Sequence, residues 1–159
     1  MDPIVKPAPE NAYHKEHIRL LRNSYNRLLQ RPLTPPDLND AQAAVYLYKA
    51  PMVLLSHNTE VDPIFNYANR AGLELFELTW NELILLPSRM SAEPVSREQR
   101  QQLLDQVTTK GFIDNYQGVR ISKTGKRFKI TNAVVWNLLD EDNDYRGQAA
   151  CFSEWVYLT

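Results

Sequence analysis

Apolar residues return along this chain with two different periods. Between Tyr13 and Gln30, Ile18, Leu21, Tyr25 and Leu28 recur at i, i+3, i+7 and i+10, and Leu20 and Leu29 widen the stripe. That spacing predicts an amphipathic helix with a narrow, heptad-like seam. A second helix is expected over Asn39–Lys49, where Ala41, Ala44, Val45 and Tyr48 share a face, Asp37 or Asn39 can cap the start and Pro51 marks the end. Then the character changes. Met52–Ser56 and Ile64–Ala68 are short apolar runs separated by the polar turn Asn58–Pro63, the pattern of a hairpin.

Three helices should follow. Asn69 precedes Arg70–Phe76 as a cap. Thr79-Trp-Asn-Glu82 is a capping box, and its helix stops at Pro87. Ser96-Arg-Glu-Gln99 repeats the box ahead of a longer helix through Thr109, with Leu103, Leu104 and Val107 on one face and Gly111 placed to end it. The last third alternates with period two. Tyr116–Ser122 sets Val119 and Ile121 against Arg120 and Ser122. Arg127–Leu139 holds Phe128, Ile130, Val134, Trp136 and Leu138 in one parity, which implies one buried face. Lys123–Lys126 and the acidic Asp140–Arg146 are turns, and Gln148–Leu158 is a final strand. Two helices, two strands, three helices and three strands make an α+β fold: a five-stranded antiparallel sheet covered by short helices.

Prolines divide the chain. Six of the ten lie in the first 36 residues. Pro3, Pro7 and Pro9 imply a frayed leader, and Arg31–Pro36 a stiff linker, so residues 1–36 form an N-terminal arm and 37–159 the body. Residues 1–31 carry six basic and three acidic side chains, net +3; the remaining 12 basic and 16 acidic give net −4. The helical seam of Ile18, Leu21, Tyr25 and Leu28 therefore has two readings of equal weight. It docks on the body, or it joins a second copy or a partner protein. Two heptads are too short for a free coiled coil, and a membrane-surface helix fits less well, because the seam lacks Trp and Phe.

A length of 159 residues suffices for one core, and 18 Lys+Arg against 19 Asp+Glu leave net −1, unlike a nucleic-acid binder. The lone Cys151 forbids an internal disulfide and a cysteine zinc site. No stretch is long and apolar enough to span a membrane, and Met1–Glu10 lacks a signal-peptide core, so a cytoplasmic protein is expected.

Catalytic chemistry is sparse. Ser56 and His57 are neighbours on a strand and point to opposite faces, so they form no dyad. There is no Gly-x-Ser-x-Gly and no phosphate-cradling loop. His57 reads as a hydrogen-bonded strand-end residue, and His14 with His17 as a poor metal pair. Asp140, Glu141, Asp142 and Asp144 lack the spacing of a calcium loop and read as a solvated tip. Arg120, Lys123, Lys126, Arg127 and Lys129 make a basic hairpin, read as a solvated edge. The strands also set polar groups beside aromatics. Asn66, Asn132, Trp136, Ser153 and Trp155 are thus the candidate pocket residues for a small-molecule ligand, against the plainer reading that they satisfy backbone or face water. No catalytic or metal-ligating residue is assigned.

Ile64-Phe-Asn-Tyr-Ala-Asn69 running into Arg70–Phe76 resembles the PAS signature, in which the second strand ends on an asparagine that caps the next helix. Over residues 11–159 the chain resembles, more closely, the PAS-like MEKHLA family. That likeness rests on Phe65-Asn-Tyr-Ala-Asn-Arg-Ala-Gly72, Leu86-Pro-Ser-Arg-Met-Ser-Ala92, Gly118-Val-Arg-Ile-Ser-Lys-Thr-Gly-Lys-Arg-Phe128, Ala133-Val-Val-Trp-Asn-Leu-Leu139 and Gly147-Gln-Ala-Ala-Cys-Phe-Ser-Glu-Trp155. The resemblance implies a non-enzymatic sensing or interaction module acting through a ligand, a second copy or a partner protein. It names no cofactor. Flavin photoreceptors of this group carry a reactive cysteine in the region matching Leu86–Ala92, which here has none. Haem-binding relatives often use a histidine on the helix matching Arg97–Thr109, also absent.

Overall fold

In the computed structural model, which describes residues 5–92 and 94–159 and all their side chains except those at 94–96, the strands form one antiparallel sheet. They are β1 (Val53–His57), β2 (Phe65–Ala68), β3 (Phe112–Ile121), β4 (Arg127–Leu139), β5 (Tyr145–Phe152) and β6 (Glu154–Tyr157). The path is β2-β1-β5-β4-β3, and β6 pairs with β4. Val134 opposes Cys151 and Thr131 opposes Glu154 in one unbroken register. β5 and β6 are therefore one ribbon interrupted at Ser153, and the sheet has five ribbons, as its sequence implied.

That interruption matters more than its size suggests. Asn132, opposite it, takes φ +53°, which rotates the chain by one residue and exchanges the faces of β4. Before it, Phe128 meets Phe76 at 5.3 Å between ring centroids. After it, Trp136 turns to the other side and meets Tyr25 edge-on at 4.9 Å. The expected single buried parity thus splits between two layers, and residues 133–138 are buried on both faces.

The helices are α1 (Lys15–Leu29), α2 (Asp40–Lys49), α3 (Arg70–Phe76), α4 (Trp80–Leu83) and α5 (Pro94–Lys110). Asn39, Asn69 and Thr79 cap α2, α3 and α4 by accepting from the amides of Gln42, Gly72 and Glu82. α5 starts at Pro94, where a missing donor costs nothing. It begins two residues before the expected start, so Ser96 lies inside its first turn; the Ser96 side chain, like Pro3, is outside the described residues. Gly111 follows α5 with φ +101°, a conformation that favours glycine.

α1 closes the convex face. Ile18 and Leu21 are fully buried and Tyr25 nearly so, each worth about 1.5–3 kcal/mol of hydrophobic burial. The Trp136 indole donates to the Leu21 carbonyl at 3.2 Å, and Ser24 Oγ both donates to the Leu139 carbonyl and accepts from its amide. Leu28 packs more loosely, beside Gly111. Ile18, Leu21 and Tyr25 of the expected partner seam are thus built into the chain's own core, and Leu28 packs at its margin. The expected boundary at residue 36 falls between α1 and α2, which pack on each other. The leader is not frayed from residue 5 onward: Pro7 is buried, and Ala12, Tyr13 and His14 form a left-handed turn at φ +53°, +53° and +60°.

Candidate functional site

The concave face of the sheet and the helices between Asn69 and Lys110 bound a half-open cavity that leaves about 60 Å³ for the centres of water-sized molecules. Its apolar wall is Leu55, Phe65, Phe76, Ile130, Val135 and Phe152. Set into that wall are His57, Ser91, Arg100, Tyr116, Arg120 and Gln148. Register explains how they converge: His57 opposes Gln148 across β1 and β5, Tyr116 opposes Ala133, and Arg120 opposes Phe128 across β3 and β4. Opposed residues on antiparallel strands share a face.

None of the five residues expected to line the sheet–helix pocket lines this cavity, and Trp155 instead borders a separate surface groove with Arg70 and Tyr157. Asn66 accepts from Ser56 Oγ at 2.5 Å, beside α1. Trp136 faces α1 on the convex side. Asn132 donates to Glu154 in an exposed pair, and Ser153 is exposed. Trp155 is half-buried, edge-on to Phe152. The cause is the exchange of faces at Asn132 and Ser153, together with α1 covering the opposite side, so that two buried layers replace one.

The groups that do meet at the cavity are basic. Arg100 on α5 is 8% exposed and Arg120 on β3 is 9% exposed. Arg100 donates from Nη2 to Ser88 Oγ at 2.9 Å. Arg120 donates to the Val119 carbonyl at 3.1 Å and to Tyr116 OH at 2.6 Å, with its guanidinium over the Tyr116 ring. Gly118 makes the last contact possible. It lies between Tyr116 and Arg120 on the same face, and a Cβ there would stand 2.7 Å from Tyr116 Oη. Burial, and then the neighbouring Arg120 charge, pull the Arg100 pKa down to about 10, so it remains a cation at neutral pH. Among the described residues it has no counter-ion, and holding a charge inside in that way costs several kcal/mol as an order of magnitude.

His57 completes the group. Its Nδ1 bonds the Asn58 carbonyl at 3.0 Å, while Nε2 is buried and has no partner among the described residues. Burial lowers its pKa and nearby Arg100 reinforces this, while the Asn58 bond and the Gln148 side chain oppose it; the net shift is downward, which favours the neutral ring. Gln148 is fixed by contacts of its Nε2 to Thr108 Oγ1 and Asn137 Oδ1 at 3.1 and 3.0 Å.

Sequence reasoning placed Arg120 on a solvated edge and gave Arg100 no role. A signal was present for Arg100, which stands at i with Leu103, Leu104 and Val107 at i+3, i+4 and i+7: a charge on the apolar face of its helix. On β3 the inward parity is Tyr116, Gly118, Arg120 and Ser122, the reverse of the expected one. Elsewhere, Asp140 accepts from the amides of Asp142 and Asp144 and from Arg146, so the acidic tip is tied internally. Burial pushes the Cys151 thiol up to about 12, leaving it unreactive.

Residues 15–157 match the MEKHLA domain. The chain belongs to the MEKHLA family. This MEKHLA chain is 23% identical over 158 residues to the homeobox-leucine zipper protein ATHB-8 of Arabidopsis thaliana, covering 97% of the chain and 18% of that protein. It is 27% identical over 127 residues to the homeobox-leucine zipper protein HOX10 of Oryza sativa subsp. indica, covering 79% of the chain and 15% of that protein. The chain thus spans less than a fifth of the length of these relatives. Among solved structures it is similar to the PAS domain of a protein from Colwellia psychrerythraea, with TM-score 0.62, 15% identity and coverage of 74% of this chain and 95% of that one. It is also similar to an RNA-binding light-oxygen-voltage receptor, with TM-score 0.60, 14% identity and coverage of 80% and 35%. The MEKHLA fold here is PAS-like. Among the described residues no helix is long and apolar enough to cross a membrane.

Proposed function

We propose that this MEKHLA chain is a non-enzymatic, cytoplasmic sensory module that binds a small molecule in the cavity and passes its occupancy to α1 or to a partner protein. The observation that carries this is the partly enclosed, largely apolar cavity with a few convergent polar groups, the usual make-up of a small-molecule site. A route outward supports the signalling half. β1 is one residue thick, with His57 facing the cavity and the preceding Ser56 facing α1, where its hydroxyl meets His17 Nε2 at 2.8 Å. Trp136, whose neighbours Val135 and Asn137 face the roofed side, holds the Leu21 carbonyl of the same helix.

The test is a thermal-shift screen of purified chain against metabolite-sized compounds. A compound present at a hundredfold its Kd should raise Tm by roughly 5–10 °C. The second reading, a ligand-free interaction or dimerisation module, draws on β6, which pairs only with β4 among the described residues and exposes Val156 and Tyr157. A screen in which nothing shifts Tm, with a solution dimer that Val156→Lys dissociates, overturns the sensory reading in favour of this one.

A further inference from the structure

We propose that the cavity ligand is a small organic carboxylate with a compact apolar body, its carboxylate held between Arg100 and Arg120. This rests on the sensory reading above and specifies its ligand. Two guanidinium groups, one from α5 and one from β3, are brought into one cavity. Each has five N–H donors. Among the described residues only three of those ten are used, one by Arg100 and two by Arg120. Among the described residues no carboxylate lines the cavity, and neither arginine forms an ion pair with a described acidic residue. Other arginines of the chain do find acids: Arg19, Arg22, Arg89 and Arg146 all sit against Asp or Glu. The buried pair is thus a positive site whose counter-charge no described residue of its wall supplies.

Three further features narrow the class. A planar guanidinium fork matches a carboxylate with two parallel hydrogen bonds. The wall beyond the arginines is hydrocarbon and aromatic, which suits an aliphatic or aryl body and gives a fully hydrated phosphate little to replace its water. No glycine is among the described lining residues, whereas a phosphate site commonly has a glycine-rich nest of backbone amides. The buried His57 Nε2 has no hydrogen-bond partner among the described residues, with Gln148 as its polar neighbour, and is an acceptor while Nδ1–H is given to Asn58, which suits a ligand hydroxyl or amine beside the carboxylate. The space of about 60 Å³ for water centres limits the body to a few carbons or one ring.

The experiment titrates full-length chain with isovalerate, lactate and benzoate, with the neutral isosteres isovaleramide, lactamide and benzamide, and with inorganic phosphate, by calorimetry and thermal shift. At least one carboxylate should bind at least tenfold more tightly than its amide. Arg100→Gln and Arg120→Gln should each weaken it at least tenfold. Arg100→Met, which removes an unpaired buried charge, should abolish binding without lowering the ligand-free Tm, whereas an arginine needed only for packing would lower it. Should the Gln variants fail to fold, Arg100→Lys keeps the charge, loses the fork and is read in the same way. Equal binding of acids and amides, or binding indifferent to both arginines, overturns the carboxylate class and leaves the sensory reading standing. Binding of phosphate but of no carboxylate also overturns it. A blank with these probes alone overturns the carboxylate class, and a blank extending to the wider metabolite screen removes the sensory reading with it.

Discussion

Asn69 shows how much one side chain can organise. It is fully buried, and all of its hydrogen-bonding capacity runs to backbone. Oδ1 accepts from the amides of Leu54 and Gly72 at 3.1 and 3.0 Å, and Nδ2 donates to the carbonyls of Leu47 and Met52 at 2.9 and 2.7 Å. One amide therefore caps α3, ends α2 and fixes the start of β1. Asn69→Ala leaves four buried backbone groups without partners, so a loss of about 2–4 kcal/mol is expected from cap and burial together. Asn69→Asp should be no milder, since it keeps the cap but sets a carboxylate against two carbonyls. Urea unfolding midpoints check both, and a loss under about 1 kcal/mol for Ala would contradict the account. Only the cap was legible in the sequence, because it is a local contact. The other bonds reach 15 to 22 residues back along the chain, and no local spacing encodes them.

At the scale of elements, legibility followed locality in the same way. The hairpin, the caps of α2 to α4 and the turn at Lys123–Lys126 were written in neighbouring residues. The face of β4 was not. Asn132 changes the parity through one backbone angle, and asparagine is among the few residues that tolerate it, but its presence in a strand does not by itself announce a bulge. The cavity was therefore assigned to the wrong side chains even though the sheet was right. The entry to α1 was equally hidden: three successive non-glycine residues, Ala12, Tyr13 and His14, hold positive φ. Rings secure the last two, Tyr13 against Tyr48 at 5.7 Å and His14 against Trp80 at 5.2 Å. Ala12 is exposed and has no such hold. Ala12→Gly should therefore stabilise the protein by about 0.5–1 kcal/mol, because glycine adopts this conformation without the Cβ penalty. Calorimetric Tm is the measure, with a rise of roughly 1–4 °C expected for a chain of this size; a fall in Tm would mean that the left-handed turn is absent in solution.

For the molecule as a whole, the sheet lies between two histidines that folding keeps neutral. His17, on α1, has its pKa lowered to about 4 from an ordinary 6.5, first by burial and then by the His14 charge. The residue as a whole keeps some exposure, but the ring lies against Tyr67 at 5.7 Å, and its Nε2 meets Ser56 Oγ, whose own proton goes to Asn66. His57 is shifted the same way on the opposite face. A base whose pKa falls on folding binds its proton more readily in the unfolded chain. The stability contributed by neutral His17 is therefore full above the ordinary histidine range and declines as the pH drops through 6.5 toward 4, with a slope approaching about 1.4 kcal/mol per pH unit, and His57 adds a loss of the same sign. The carboxylates act in a lower window. Glu82, held low by its bond from Lys123, and Asp140, held low chiefly by the Asp144 amide, keep their charge until below the ordinary carboxylate range. Acid between about pH 6.5 and 4.5 should thus loosen the contact between α1 and the sheet before it touches the surface pairs. Urea unfolding at pH 7.5, 6.0, 5.2 and 4.6 measures the slope in wild type and in His17→Gln, whose amide can still donate to Ser56. The variant should lose less stability across that interval, with the remainder assigned to His57; identical slopes in the two proteins would place the acid sensitivity elsewhere than at the α1–sheet contact.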